Sequence, residues 1–159
     1  MDVRFIDTSI LLNLLGVPGK CQERDAVREE FRQTVESKES LILPLAAIIE
    51  TGNHIAHIAD GRKRRTISDK FCEYLRHTAN ETAPWVFYQK GWDKDALIYF
   101  AENFQEYAVN EISLGDMSII HSYEQFINET PSISSIMIWS TDNHLSAYRQ
   151  TGSLYVRRR

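Results

Sequence analysis

Four short apolar runs, at residues 3–6, 41–43, 84–88 and 133–139, punctuate a chain that elsewhere carries its apolar residues at helical spacing. Each run has the length of a strand, and Pro44 and Pro84 bound the middle two. Strands separated by helix-length segments predict an α/β fold with a mostly parallel sheet, because a parallel neighbour is reached only through a crossover. The first run ends at Asp7, and Thr8 or Ser9 then caps a helix through Ile10, Leu11, Leu12, Leu14 and Leu15. Gly16, Pro18 and Gly19 stop it. Ala26, Val27, Phe31 and Val35 mark an amphipathic helix over 21–38. Pro44 opens a helix that Gly61 ends. A further helix over 66–78 turns Ile67, Phe71, Tyr74 and Leu75 inward, and one over 93–109 does so with Ala96, Leu97, Phe100, Ala101 and Phe104. Another begins at Leu114, with Met117, Ile119, Ile120, Tyr123 and Phe126 following. A short helix at 144–148 and a terminal strand at 154–156 close the chain.

With 159 residues, 43% hydrophobic and 25% charged, the chain reads as one globular domain over 1–159. It carries no repeat and no long linker, which excludes collagen, coiled coil and whole-chain disorder. Cys21 and Cys72 supply neither a CxxC pair nor a disulfide framework. No apolar run approaches the ~18 residues of a membrane span, and no basic leader precedes the first strand, so a cytoplasmic protein with no membrane contact is expected. The net charge of −4 argues against a binder that relies on bulk positive charge.

The acidic residues deserve separate treatment, since ligands of parallel α/β sheets sit beyond the carboxyl ends of the strands. Asp7 and Asp142 both follow apolar runs, and Asp116 falls in the first turn of a helix. Singly, each reads as a turn former, a cap or a complement to the helix dipole. Glu50 is harder to dismiss, because Ala46, Ala47, Ile48 and Ile49 surround it and its helix offers no nearby Lys or Arg. A buried carboxylate must be protonated, paired or bound to a cation. Clustered carboxylates suit Mg²⁺ or Mn²⁺, hard ions that prefer oxygen, and two such ions serve phosphodiester hydrolysis.

The segments Phe5-Ile6-Asp7-Thr8-Ser9, Leu43-Pro44-Leu45-Ala46-Ala47-Ile48-Ile49-Glu50-Thr51, Ser113-Leu114-Gly115-Asp116 and Ile138-Trp139-Ser140-Thr141-Asp142 stand in this order along the chain. In order and placement they resemble the PIN-domain nucleases, including the toxins of toxin–antitoxin pairs. The resemblance implies a three-layer α/β/α domain with a sheet of four or five mostly parallel strands. It implies a metal-dependent endoribonuclease that binds Mg²⁺ or Mn²⁺ through Asp7, Glu50, Asp116 and Asp142. Asp7 would be central, Glu50 and Asp116 would complete a first site, and Asp142 would support a second ion. Ser9 and Ser140 match small hydroxyl positions beside the carboxylates. RNA as substrate, a small antitoxin protein and a homodimer are the implied partners. The segment 61–88 is longer and more basic than in the most compact members.

Other groups invite weaker readings. Glu50, His54 and His57 share a helix face but lack the order of a zinc-protease motif. Arg62, Lys63, Arg64 and Arg65 form a solvated turn between two helices or a patch for RNA phosphates. A phosphohydrolase with Asp7 as nucleophile would want a second aspartate where Ser9 stands. A PIN-like domain kept for binding or assembly, with little catalysis, is the principal alternative to a nuclease.

Overall fold

In the computed structural model, which describes residues 1–151, five strands and seven helices alternate. The strands are β1 (Asp2–Ile6), β2 (Ser40–Pro44), β3 (Trp85–Tyr88), β4 (Ser135–Trp139) and β5 (Arg149–Thr151). The helices are α1 (Thr8–Leu15), α2 (Arg24–Glu36), α3 (Leu45–Ala56), α4 (Gly61–Ala79), α5 (Lys94–Val109), α6 (Leu114–Glu129) and α7 (Asn143–Ser146). They build one sheet in the order β3-β2-β1-β4-β5. The first four strands are parallel, and β5 runs antiparallel along β4. Among the described residues no helix is long and apolar enough to cross a membrane.

Phe5 lies in register with Ile42 and Ile138 at the middle of the sheet. Successive strand residues point to opposite faces, so Phe5 and its neighbours Arg4 and Ile6 serve different layers. The Phe5 ring meets Tyr88, Tyr123 and Phe126 edge-on at 5.4–6.0 Å, which seats α6 on one face. On the other face Phe31 of α2 stacks on Trp139 and tilts against Trp85, while Tyr74 of α4 meets Trp85 edge-on. Helices therefore cover both faces of the mostly parallel sheet that the alternation of strands and helices predicts, an arrangement compatible with three α/β/α layers.

The same face buries one cation. Arg4 donates to Glu39 and Glu30 at 2.7 and 2.6 Å, and its guanidinium carbon lies 5.5 Å from the Trp139 ring centroid. Burial pulls the Arg4 guanidinium downward, but the two carboxylates outweigh this and hold its pKa above the usual arginine value.

Several local expectations are corrected. The cap of α1 is Asp7, whose side chain accepts from the Ser9 amide, and not Thr8 or Ser9. Gly16 ends that helix at φ +73°, a conformation that suits glycine. The helix from Pro44 does not run to Gly61 but stops at Ala56. Asp60 accepts from the Arg62 and Lys63 amides and starts α4 at Gly61, five residues earlier than residue 66. The run Arg62, Lys63, Arg64, Arg65 is thus the exposed first turn of α4 and not a turn between helices. Ala26, Val35, Leu97 and Ala101 are exposed, because α2 and α5 bury narrower stripes than their apolar residues suggest. The expected strand at 154–156 lies outside the described residues, and Arg149–Thr151 supplies the sheet edge.

Candidate active site

Parallel strands bring the starts of the following segments to one edge of the sheet. Asp7 leaves β1, α3 leaves β2 at Pro44, and Ser140 to Asp142 leave β4. There the Asp7 side chain, only 4% exposed, is held by two hydroxyls. Ser9 Oγ and Ser140 Oγ donate to the same oxygen, Asp7 Oδ2, at 2.8 and 2.7 Å. Each hydroxyl in turn accepts a backbone N–H, Ser9 from Thr141 at 3.0 Å and Ser140 from Asp142 at 2.9 Å. A hydroxyl has one proton, so the 3.3 Å approach of Ser9 Oγ to Ser140 Oγ is a consequence of both protons going to Asp7. The β4–α7 turn is thereby tied to the β1–α1 turn. Asp7 Oδ1 has no hydrogen-bond partner among the described residues.

Glu50 reaches the same place from α3. Its Oε2 accepts from Thr8 Oγ1 at 3.0 Å. Its Oε1 rests against Gly115 of α6, where any Cβ would occupy the position of the carboxylate. Glycine at 115 is what lets α3 and α6 approach with an acid between them. Glu50 is half-buried and not enclosed, since neighbouring Ile49 is exposed.

Asp116 follows in the first turn of α6, with Ser113 Oγ accepting from its amide at 3.1 Å. Burial, then the charges of Asp7, Glu50 and Asp142, push its carboxyl up to about 7. Asp142 is exposed and caps α7, accepting from the His144 amide at 2.8 Å. The capping reading therefore holds for both Asp7 and Asp142, and each still acts on Asp116.

Of the carboxylates singled out in the sequence, Asp7, Glu50 and Asp142 thus act electrostatically on the fourth, Asp116, and Ser9 and Ser140 both donate to Asp7. Oxygen-only donors of this kind suit a hard divalent cation. Among the described residues, however, no three Asp, Glu, His or Cys side chains are already placed around a single ion position. Two of the acids accept from hydroxyls, Glu50 from Thr8 and Asp7 from Ser9 and Ser140.

The other candidates stand apart. The hydrogen bonds of the basic run stay within its own neighbourhood: Asp60 accepts from the Arg62 and Lys63 amides, and Arg64 donates to the Ile58 carbonyl at 2.8 Å. His57 is exposed just past the end of α3, and its ring bonds to the Asn53 carbonyl of that helix. Thr8 and Gly115 are site residues that sequence reasoning missed. Their signal was present, in a hydroxyl beside Asp7 and a glycine beside Asp116, but it acquires meaning only when α3 is laid between them. Compared with protein-family models, with curated proteins and with solved structures, the chain finds no match.

Proposed function

We propose that this chain is a metal-dependent endoribonuclease with a PIN-like domain, in which Asp7, Glu50, Asp116 and Asp142 hold Mg²⁺ or Mn²⁺. The observation that carries the reading is that three carboxylates, Asp7, Glu50 and Asp142, act on a fourth, Asp116, from three other segments, with no Lys or Arg among the groups that act on it. Clusters of mutually repelling acids are costly to fold, and they mark functional sites more often than structural ones. Held by these carboxylates, such an ion would supply an activated water and offset charge on the leaving oxygen of the phosphodiester.

The chain's own residues prepare this chemistry. Ser9 and Ser140 fix one oxygen of Asp7 and leave the other uncommitted, so the central ligand is oriented before any cation arrives. Thr8 does the same for Glu50, and Gly115 gives that carboxylate room. A toxin role would add a small antitoxin protein that covers this edge, and a homodimer belongs to the same reading.

The test is cleavage of single-stranded RNA by the purified chain in Mn²⁺. Replacing Asp116→Asn removes cleavage by more than the roughly 10–100-fold typical of an outer-shell change. Undiminished cleavage by the folded variant overturns the mechanism. The second reading, a domain kept for binding or assembly, is favoured by the lack of three ligands around one point among the described residues. It predicts no Mn²⁺-dependent cleavage by the wild-type chain.

A further inference from the structure

The strongest feature outside the carboxylate edge is a group of three cations on α2 and α4. Arg24 and Arg28 stand one turn apart on α2, and Lys70 stands on α4. Lys70 Nζ donates to the Leu14 carbonyl at 3.2 Å, which draws the ammonium onto the end of α1. The Arg24 guanidinium lies over Gly16, so closely that a Cβ there would fall 2.7 Å from Nη1. Its Nε is buried without a hydrogen-bond partner. Among the described residues no carboxylate pairs with any of the three, as with most of the other cations. The charges feel one another: burial first, then Arg24 and Arg28, lowers the Lys70 ammonium below its ordinary value. Three like charges brought together from two helices are stabilised by an anion that joins them.

We propose that Arg24, Arg28 and Lys70 form a phosphate-backbone site that holds single-stranded RNA at the opposite end of α1 from the carboxylates. This rests on the nuclease reading for the identity of the polymer. Helix α1 has eight residues and so spans about 12 Å, a distance one strand of RNA can bridge while its scissile phosphate lies at Asp7. A cleft of about 230 Å³, lined by Leu14, Phe31, Tyr74, His77 and Trp85 and by none of the three cations, shares Leu14 with the Lys70 contact and offers an apolar wall to the attached base. Lys63 lies on the same stripe of α4 two turns before Lys70 and extends the positive track. The contact to RNA is thus placed on the α2–α4 face and not on Arg62 to Arg65 as a unit.

The experiment is anisotropy of a fluorescently labelled single-stranded RNA, titrated with the full chain in EDTA so that binding is read without cleavage. Changing Arg24→Gln, Arg28→Gln and Lys70→Gln together weakens binding at least about tenfold and flattens the salt dependence by about two in log–log slope, at roughly 0.7 per phosphate contact. The charge-preserving set Arg24→Lys, Arg28→Lys and Lys70→Arg keeps that slope, which separates lost charge from lost fold. Unchanged affinity and slope in the Gln variant overturn the proposal. Equal, cation-dependent affinity for an oligoglutamate peptide of the same charge also overturns it, and assigns the groove to an acidic protein segment. Trio-dependent RNA binding by a wild-type chain that does not cleave in Mn²⁺ sinks the nuclease reading alone. Mn²⁺-dependent cleavage with no trio-dependent binding sinks the phosphate site alone.

Discussion

The Arg4 site and the Asp116 site both carry charge into the interior, on different faces and edges of the same sheet, and they resolve it in opposite ways. Arg4 is surrounded by its complements, Glu30, Glu39 and the face of Trp139. Asp116 is acted on by its own kind, while Asp7 accepts from two hydroxyls and the Ser9 amide and Glu50 from the Thr8 hydroxyl. The first arrangement is complete as folded and needs nothing more. The second, on the proposed reading, would be completed by an added cation. A charge with its partner is architecture; a set of like charges without one is the better candidate for chemistry.

The difference can be broken most forcefully at Arg4. Arg4→Met leaves Glu30 and Glu39 facing each other without their cation, and it costs about 2–3 kcal/mol, a figure reduced from the fully buried case because both acids are partly exposed. Urea unfolding at neutral pH measures it. A loss near zero would make Arg4 as dispensable as a surface charge.

At the other site the sign reverses. Asp116 binds its proton more tightly folded than unfolded, with the folded group at about 7 against an ordinary 3.8. Below the unfolded value both states are protonated and the wild-type chain carries no penalty. Its stability then falls as pH rises between those two values and stays low above about 7. In EDTA, Asp116→Asn should therefore match wild type near pH 3.8 and exceed it above pH 7, by about 1–2 kcal/mol once screening of this half-buried group is allowed for. Equal unfolding midpoints at pH 8 would remove the repulsion from the account.

The smallest effect is expected at Arg32, which bridges Glu29 and Glu36 at the surface of α2. Arg32→Ala should leave the urea midpoint unchanged within error, since exposed pairs are screened by solvent. A clear loss would mean that ion pairing alone, without burial, accounts for Arg4.

The elements were legible in the residues because apolar runs, prolines and helical spacing act locally. The alternation from Val3 to Trp139 is enough to reach a parallel sheet. Boundaries set by side chains were less so. Asp60 caps α4 and overrides Gly61 as a stop, and Asp7 caps α1 in place of Thr8 or Ser9. The acids at 7, 116 and 142 were visible because each follows or opens an element, and Glu50 because it interrupts an apolar helix. Arg4 was hidden inside an apolar run, and nothing local announces that Glu30 and Glu39 will meet it. Arg24, Arg28 and Lys70 were equally silent, being spread over 47 positions and joined only by the packing of α2 and α4 around the end of α1.

The central claim is that the carboxylate cluster exists to hold a cation. Calorimetric titration of Mn²⁺ into the metal-free chain at pH 7.5 tests it without reference to any substrate. Saturable binding by the wild-type chain, lost in Asp7→Asn while the Arg32→Ala control binds normally, is the predicted result. No binding by wild type, or binding that survives Asp7→Asn undiminished, would contradict it.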